Sequence, residues 1–110
     1  LPDMPDRVEP TRLVIVGAGG FGREVLDVID AANLSGSCLE VVGVVDDHPA
    51  EPALVEARGV PILRGFDDER IAGAGYVVAI GDPTTRRDLA ERADAAGLEP
   101  VQAVHPSATF

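Results

Sequence analysis

The sequence predicts an α/β fold: a Rossmann-like, doubly wound parallel sheet of about five strands in the order 3-2-1-4-5, with helices on both faces. Three observations predict it. Short β-branched runs that are apolar throughout (LVIV at Leu13, VVGVV at Val41, YVVAI at Tyr76) alternate with helical patterns, as strands buried on both faces do. A glycine cluster, Gly17-Ala18-Gly19-Gly20-Phe21-Gly22, joins the first run directly to a helical pattern. Right-handed crossovers between parallel strands then favour the doubly wound order.

The elements follow in sequence. Residues 1–11, rich in Pro and charge, read as a flexible leader outside the core. Arg12 to Val16 is the first strand, and residues 12–104 form the domain. Gly20 to Asn33 is a helix whose Phe21, Val25, Leu26, Val28 and Ile29 give one broad apolar face. Leu39 to Asp47 is the second strand, nearly all β-branched before two carboxylates. HPAEPALVEARG is a Pro-interrupted loop or short helix, and Val60 to Leu63 is a short third strand that Pro61 assigns to an edge. Phe66 to Ala72 allows a short helix. Tyr76 to Asp82 repeats the strand-then-glycine device. Pro83 to Ala96 is a helix with Pro in its first turn and Gly97 at its stop. Leu98 to Val104 is the fifth strand, and residues 105–110 follow it.

Composition excludes several classes of function. A formal charge of −10 repels polyanions, so neither nucleic acid nor an anionic membrane is the expected partner. A small phosphorylated ligand remains compatible, because backbone N–H groups and one or two Arg can hold it locally. Cys38 is alone, which rules out an internal disulfide or a Cys-based zinc site; it reads as a partly buried small apolar residue. His48 and His105 cluster with no further His or Cys, so no metal site is expected. Neither membrane-length apolar run nor signal pattern is present, and the expected localisation is cytoplasmic.

The candidate site gathers at the strand ends. Gly17, Gly19, Gly20, Phe21 and Gly22 follow a buried strand and open a helix, the context in which glycine admits a tight turn and close approach of the backbone to phosphates. Asp46 and Asp47 end the second strand beside that loop, where a carboxylate accepts from ribose hydroxyls or a base N–H. Either member of the pair fits, and a solvated turn into His48-Pro49 is the plain alternative. His48 adjoins them. Gly81 and Asp82 are the counterpart after the fourth strand, with Asp82 equally suited to cap the following helix. Arg86 and Arg87, one turn on, fit a solvated helix face better than an anion site. No nucleophile–base pair is legible, so no catalytic residue is assigned.

Taken together, VIVGAGGFGREVLDVI, VVGVVDD, GVPILRG, VVAIGDPTTRR and HPSAT, in that order, resemble the N-terminal domain of the NeuD/PglD-type sugar O- and N-acyltransferases over Arg12 to Phe110. The resemblance implies a domain that binds a nucleotide-linked sugar, often a UDP-amino-sugar. It implies a following left-handed β-helix of hexapeptide repeats that binds acetyl-CoA, forms a homotrimer and supplies the catalytic His. His105 to Phe110 correspond to the junction with that repeat domain, which these residues do not include, so the chain alone is expected to be inactive and to carry no cofactor. The resemblance assigns Gly17, Gly19, Gly20 and Gly22 to the pyrophosphate, Asp46 and Asp47 to the uridine, and Gly81 and Asp82 to the second loop of the crevice. Phe21 stands where many members have His, and His48 where other residues, including Lys, occur. The competing readings are a small NAD(P)-binding module and a regulatory Rossmann module, which share the loop and the acidic strand end.

Overall fold

The computed structural model describes residues 11–49 and 51–101. The leader through residue 10, the fifth strand beyond Val101 and the junction from His105 lie outside the described residues, as do the Gly20 and Phe21 side chains. Five strands form one parallel sheet: β1 (Thr11–Val16), β2 (Leu39–Val45), β3 (Ile62–Leu63), β4 (Gly75–Val78) and β5 (Glu99–Pro100). Their order is β3-β2-β1-β4-β5, as the sequence predicts. The helices are α1 (Gly20–Leu34), α2 (Pro52–Glu56) and α3 (Pro83–Ala95), with a 3-10 turn at Glu69–Ile71.

β1 is central and carries the core. Leu13 and Ile15 point to one layer with Val25, Leu26 and Ile29 of α1; Val14 and Val16 point to the other, with Ile71, Tyr76 and Ala93. All four β1 residues are essentially without solvent exposure, which is why the run is apolar at every position rather than at every second one. On the second face the Tyr76 hydroxyl donates to Asp94 Oδ1 at 2.8 Å, fastening α3 to β4. Burial, with the Asp94 contact next, pushes the Tyr76 phenol up to about 12.

β2 is bulged. Leu13 pairs with Val41, but Val14 pairs with Gly43, so Val42 is extra. Leu39 and Val41 lean on the α1 layer; after the bulge Val44 lies in that layer again and Val45 in the other. At Gly43 a Cβ would sit 2.9 Å from Leu63 Cδ1, so a side chain there requires the Leu63 tip to shift.

Several elements are shorter than the sequence pattern suggests. β2 stops at Val45, which puts Asp46 and Asp47 in the loop beyond it. β3 is two residues long, and it is an edge strand, as Pro61 requires. The Phe66–Ala72 helix contracts to its last turn, which Asp68 starts by accepting from the Arg70 N–H and Gly73 ends at φ +75°. Cys38 is exposed rather than partly buried. It lies in the turn ahead of β2, at the sheet's N-terminal edge, where its carbonyl accepts from Thr11 N–H.

Candidate functional site

The C-terminal edge of the sheet is laced together by its own backbone. Gly17 N–H donates to Val45 O at 2.8 Å, Ala79 N–H to Val16 O at 2.8 Å, and Asp46 N–H to Leu63 O at 2.9 Å. The loops that leave β1, β2, β3 and β4 therefore start side by side.

The glycine loop is shaped from within. Gly17 has φ +116°, a conformation that L side chains rarely adopt. Gly22 sits so close to the loop that a Cβ would stand 2.1 Å from Gly17 O, so it lets α1 pack on the strand end. Gly19 differs: its backbone is extended and a Cβ there would meet nothing within 4 Å. It is the N-cap of α1 and brings no side chain to the first turn. The positive end of the α1 dipole thus faces open space across Gly19.

Asp46 and Asp47 have different surroundings. One Asp46 oxygen accepts from Ala18 N–H at 2.9 Å and the other from His48 N–H at 2.9 Å. Through Ala18 Asp46 ties the loop after β1 to the loop after β2, and both of its oxygens are already engaged. Asp47 is the freer carboxylate. Its side chain is 68% exposed, and His48 Nδ1 lies 3.4 Å from it. The imidazole of His48 is itself 92% exposed.

The loop after β4 is built otherwise. Asp82 caps α3 by accepting from Thr85 N–H at 2.8 Å, and that bond holds its carboxyl below the usual carboxylate range. Gly81 is exposed, and a Cβ there would meet nothing within 4 Å. Arg86 folds back, its Nε donating to Ile80 O at 3.2 Å, and Arg87 is exposed.

A cavity of about 230 Å³ lies beside Gly17 on the α3 face of the sheet. Val45, Ile80 and Leu89 are among its apolar lining, with Asp46 and Asp47 at one side and Arg64 and Arg92 at others. Arg64 donates to Asp47 O at 3.1 Å, and the Arg92 guanidinium lies 5.6 Å from the centre of the Phe66 ring. Sequence reasoning leaves out Arg64, Phe66 and Arg92. The available signal was helical spacing: Thr85, Asp88, Leu89 and Arg92 fall at i, i+3, i+4 and i+7 and all line the cavity, but their mixed polarity hides the stripe.

Among the described residues no helix is long and apolar enough to cross a membrane. Among them, too, no three His, Cys, Asp or Glu side chains gather as a metal site would need.

Comparison with known proteins follows the same lines. A crystal structure described as an NAD-binding protein from Listeria innocua matches with a TM-score of 0.65 at 27% identity, over 84% of this chain and 26% of that one. The chain thus spans about a quarter of that structure's length. No curated protein matches it. Residues 12–93, from the first strand to the last turns of α3, match the family described as PglD N-terminal domain. A match over that much of the chain, joined to the glycine loop, the acidic pair and the 3-2-1-4-5 sheet, means that the chain belongs to the PglD N-terminal domain family.

Proposed function

We propose that this domain binds a nucleotide-linked sugar, a UDP-amino-sugar in the first instance, and presents it to the acetyl-CoA-dependent catalytic part of a sugar acetyltransferase. The observation that carries the reading is the uncapped N-terminus of α1 behind Gly19, held in shape by Asp46 and open in front. Backbone N–H groups there suit a diphosphate. Asp47, beside the loop with its carboxylate free, suits the ribose hydroxyls. Family membership supports the sugar nucleotide over other diphosphates. The domain's contribution to acyl transfer is position: nucleotide binding energy holds the acceptor amine or hydroxyl near a thioester. The base that deprotonates it, the acetyl-CoA site and the trimer contacts belong to the repeat domain.

A second reading, a dinucleotide-binding module, is favoured by the likeness to the Listeria innocua NAD-binding protein. Calorimetric titration separates the two. UDP or a UDP-amino-sugar binding more tightly than NAD and free CoA is the expected result; NAD binding tighter than every UDP-sugar overturns the proposal. The chain alone is expected to release no thiol from acetyl-CoA with any amino-sugar, and robust turnover would place an active site among these residues.

A further inference from the structure

Arg23 stands one turn into α1, where its N–H donates to Gly19 O at 3.0 Å. Side chains on a helix tilt toward its N-terminus, so the Arg23 side chain runs back over the turn that Gly19 opens. One turn rises about 5.4 Å, a span that an arginine side chain covers. Its partner agrees with that direction. Arg23 Nη1 lies 3.7 Å from Glu51 Oε1, and Glu51 belongs to the segment that leaves β2 at the C-terminal edge of the sheet, the edge where Gly19 lies. The guanidinium therefore stands at the same edge as the bare end of α1.

The pair is loose. Arg58 meets Asp27 and Asp30 at 2.8 and 2.7 Å, and Arg70 meets Asp68 at 2.8 Å, all at hydrogen-bond distance. At 3.7 Å Arg23 and Glu51 attract each other without a hydrogen bond. Glu51 is the N-cap of α2, yet its side chain makes no cap bond, and its carboxylate faces Arg23 instead. Other arginines at this edge have firmer partners: Arg64 donates to Asp47 O and Arg86 to Ile80 O. In a chain of net charge −10 the surface as a whole repels an incoming diphosphate, so one guanidinium close to Gly19 weighs heavily.

We propose that Arg23 is a side-chain cation of the diphosphate site, and that Glu51 holds it in waiting until phosphate oxygens take the carboxylate's place. This inference rests on the reading that the glycine loop binds a nucleotide diphosphate. A guanidinium can give a phosphate two parallel N–H bonds, and it keeps its charge throughout the working pH range. Phosphate oxygens near Gly19 offer Arg23 those bonds, which the carboxylate at 3.7 Å does not. Glu51 thereby competes with the ligand, with the weak hold of an exposed ion pair. A plain tether between α1 and α2 behaves otherwise: losing either partner loosens the same contact, so neither loss tightens binding.

The test is calorimetric titration of UDP into wild type, Arg23→Gln, Glu51→Gln and the double variant, with backbone amides and the Arg23 Nε–H signal followed by NMR. Neither side chain belongs to a core cluster, so the variants keep the fold. Arg23→Gln is expected to bind UDP at least about tenfold more weakly, the scale of one charge-assisted hydrogen bond. Glu51→Gln is expected to bind it about two- to fivefold more tightly, and that gain is expected to vanish in the Arg23→Gln background. In wild type the Arg23 Nε–H signal should move along the same saturation curve as the Gly17 and Ala18 amides. UDP binding that changes less than about twofold in Arg23→Gln overturns the contact and leaves the proposed function standing. So does a loss accompanied by displaced Gly17 and Ala18 amides in the free variant, which would make Arg23 a prop of the loop. A Glu51→Gln gain that persists without Arg23 overturns the exchange, since Glu51 then only repels phosphates; no gain at all overturns it too. Wild type that does not bind UDP, or that binds NAD more tightly, overturns both the inference and the reading beneath it.

Discussion

The chain builds two helix N-termini at the same edge of the sheet, and it gives them opposite electrostatic tasks. Each follows a parallel strand and a glycine. At α1 the cap is Gly19, which brings no side chain and leaves the positive end of the helix facing open space. At α3 the cap is Asp82, whose carboxylate occupies the Thr85 N–H and neutralises the same kind of end with a fixed negative charge. At one end the cap is bare and the nearest built-in carboxylate, Asp46, sits one residue before it on Ala18 N–H; at the other the carboxylate is on the cap itself. The contrast teaches that strand–glycine–helix is not itself a binding signal: what fills the N-cap decides.

Breaking the α1 side has the largest effect. Gly22→Ala sets a methyl group against Gly17 O, where only 2.1 Å is available, so α1 must move off the strand end. About 3 kcal/mol of stability should be lost, the upper range for overpacking, and urea unfolding measures it. A midpoint close to wild type would mean that α1 does not pack as described.

Next comes a test of the two glycines that have open space around them. Gly19→Val should leave a folded domain and cost at least about tenfold in nucleotide affinity, roughly 1.4 kcal/mol. Gly81→Val, beside the self-capped helix, should change affinity by less than about threefold. Equal losses at both would erase the distinction between the loops.

The acidic pair sharpens the comparison further. Asp46→Ala removes the Ala18 N–H bond that fixes the glycine loop and the His48 N–H bond within its own loop, so stability and binding should fall together, by about 1–3 kcal/mol. Asp47→Ala should weaken binding of UDP alone, at low and high salt alike, while the unfolding midpoint stays put. Tighter binding that fades with added salt would instead make Asp47 a bystander whose charge merely repels the phosphates.

The smallest effect is expected at Asp82. Its folded-state pKa lies below the ordinary 3.8 because Thr85 N–H stabilises the charged form. The stabilisation is therefore complete above that ordinary value and is lost as pH falls through the lower native one. Asp82→Ala should flatten this part of the acid limb and leave nucleotide affinity nearly unchanged. Thermal melts from pH 5 down to pH 2 follow it; a wild-type pH profile in the variant would remove Asp82 from the cap.

Much of this was legible in the sequence. The parallel sheet followed from doubly apolar runs such as Leu13 to Val16, buried on both sides, and the strand order from right-handed crossovers between them. The glycine loop was legible because tight turns demand a residue type. The division of labour inside it was not: Gly19 and Gly22 read alike, and only packing shows that one meets open space and the other meets Gly17 O. Nor did the sequence separate Asp46 from Asp47, since that depends on a bulge no propensity announces. Arg64, Phe66 and Arg92 stayed hidden because their shared position arises from the pairing of β3 with β2 and the docking of α3, contacts between residues far apart in the chain.

The bulge in β2 has a consequence for what the strand can tolerate. An extended chain alternates sides with strict two-residue arithmetic, so a strand with one burial task and one aiming task is normally bound to a single parity. Val42 breaks the count in the middle. The first half can bury Leu39 and Val41 against α1 on one parity, while the last residues bring a carboxylate to Ala18 on the other. Deleting a single residue at 42 or 43 would therefore force a choice: either the apolar start turns outward, or the carboxylate that holds the glycine loop turns away from it. The fold and the loop keep separate phases on one strand, and one inserted residue is the joint between them.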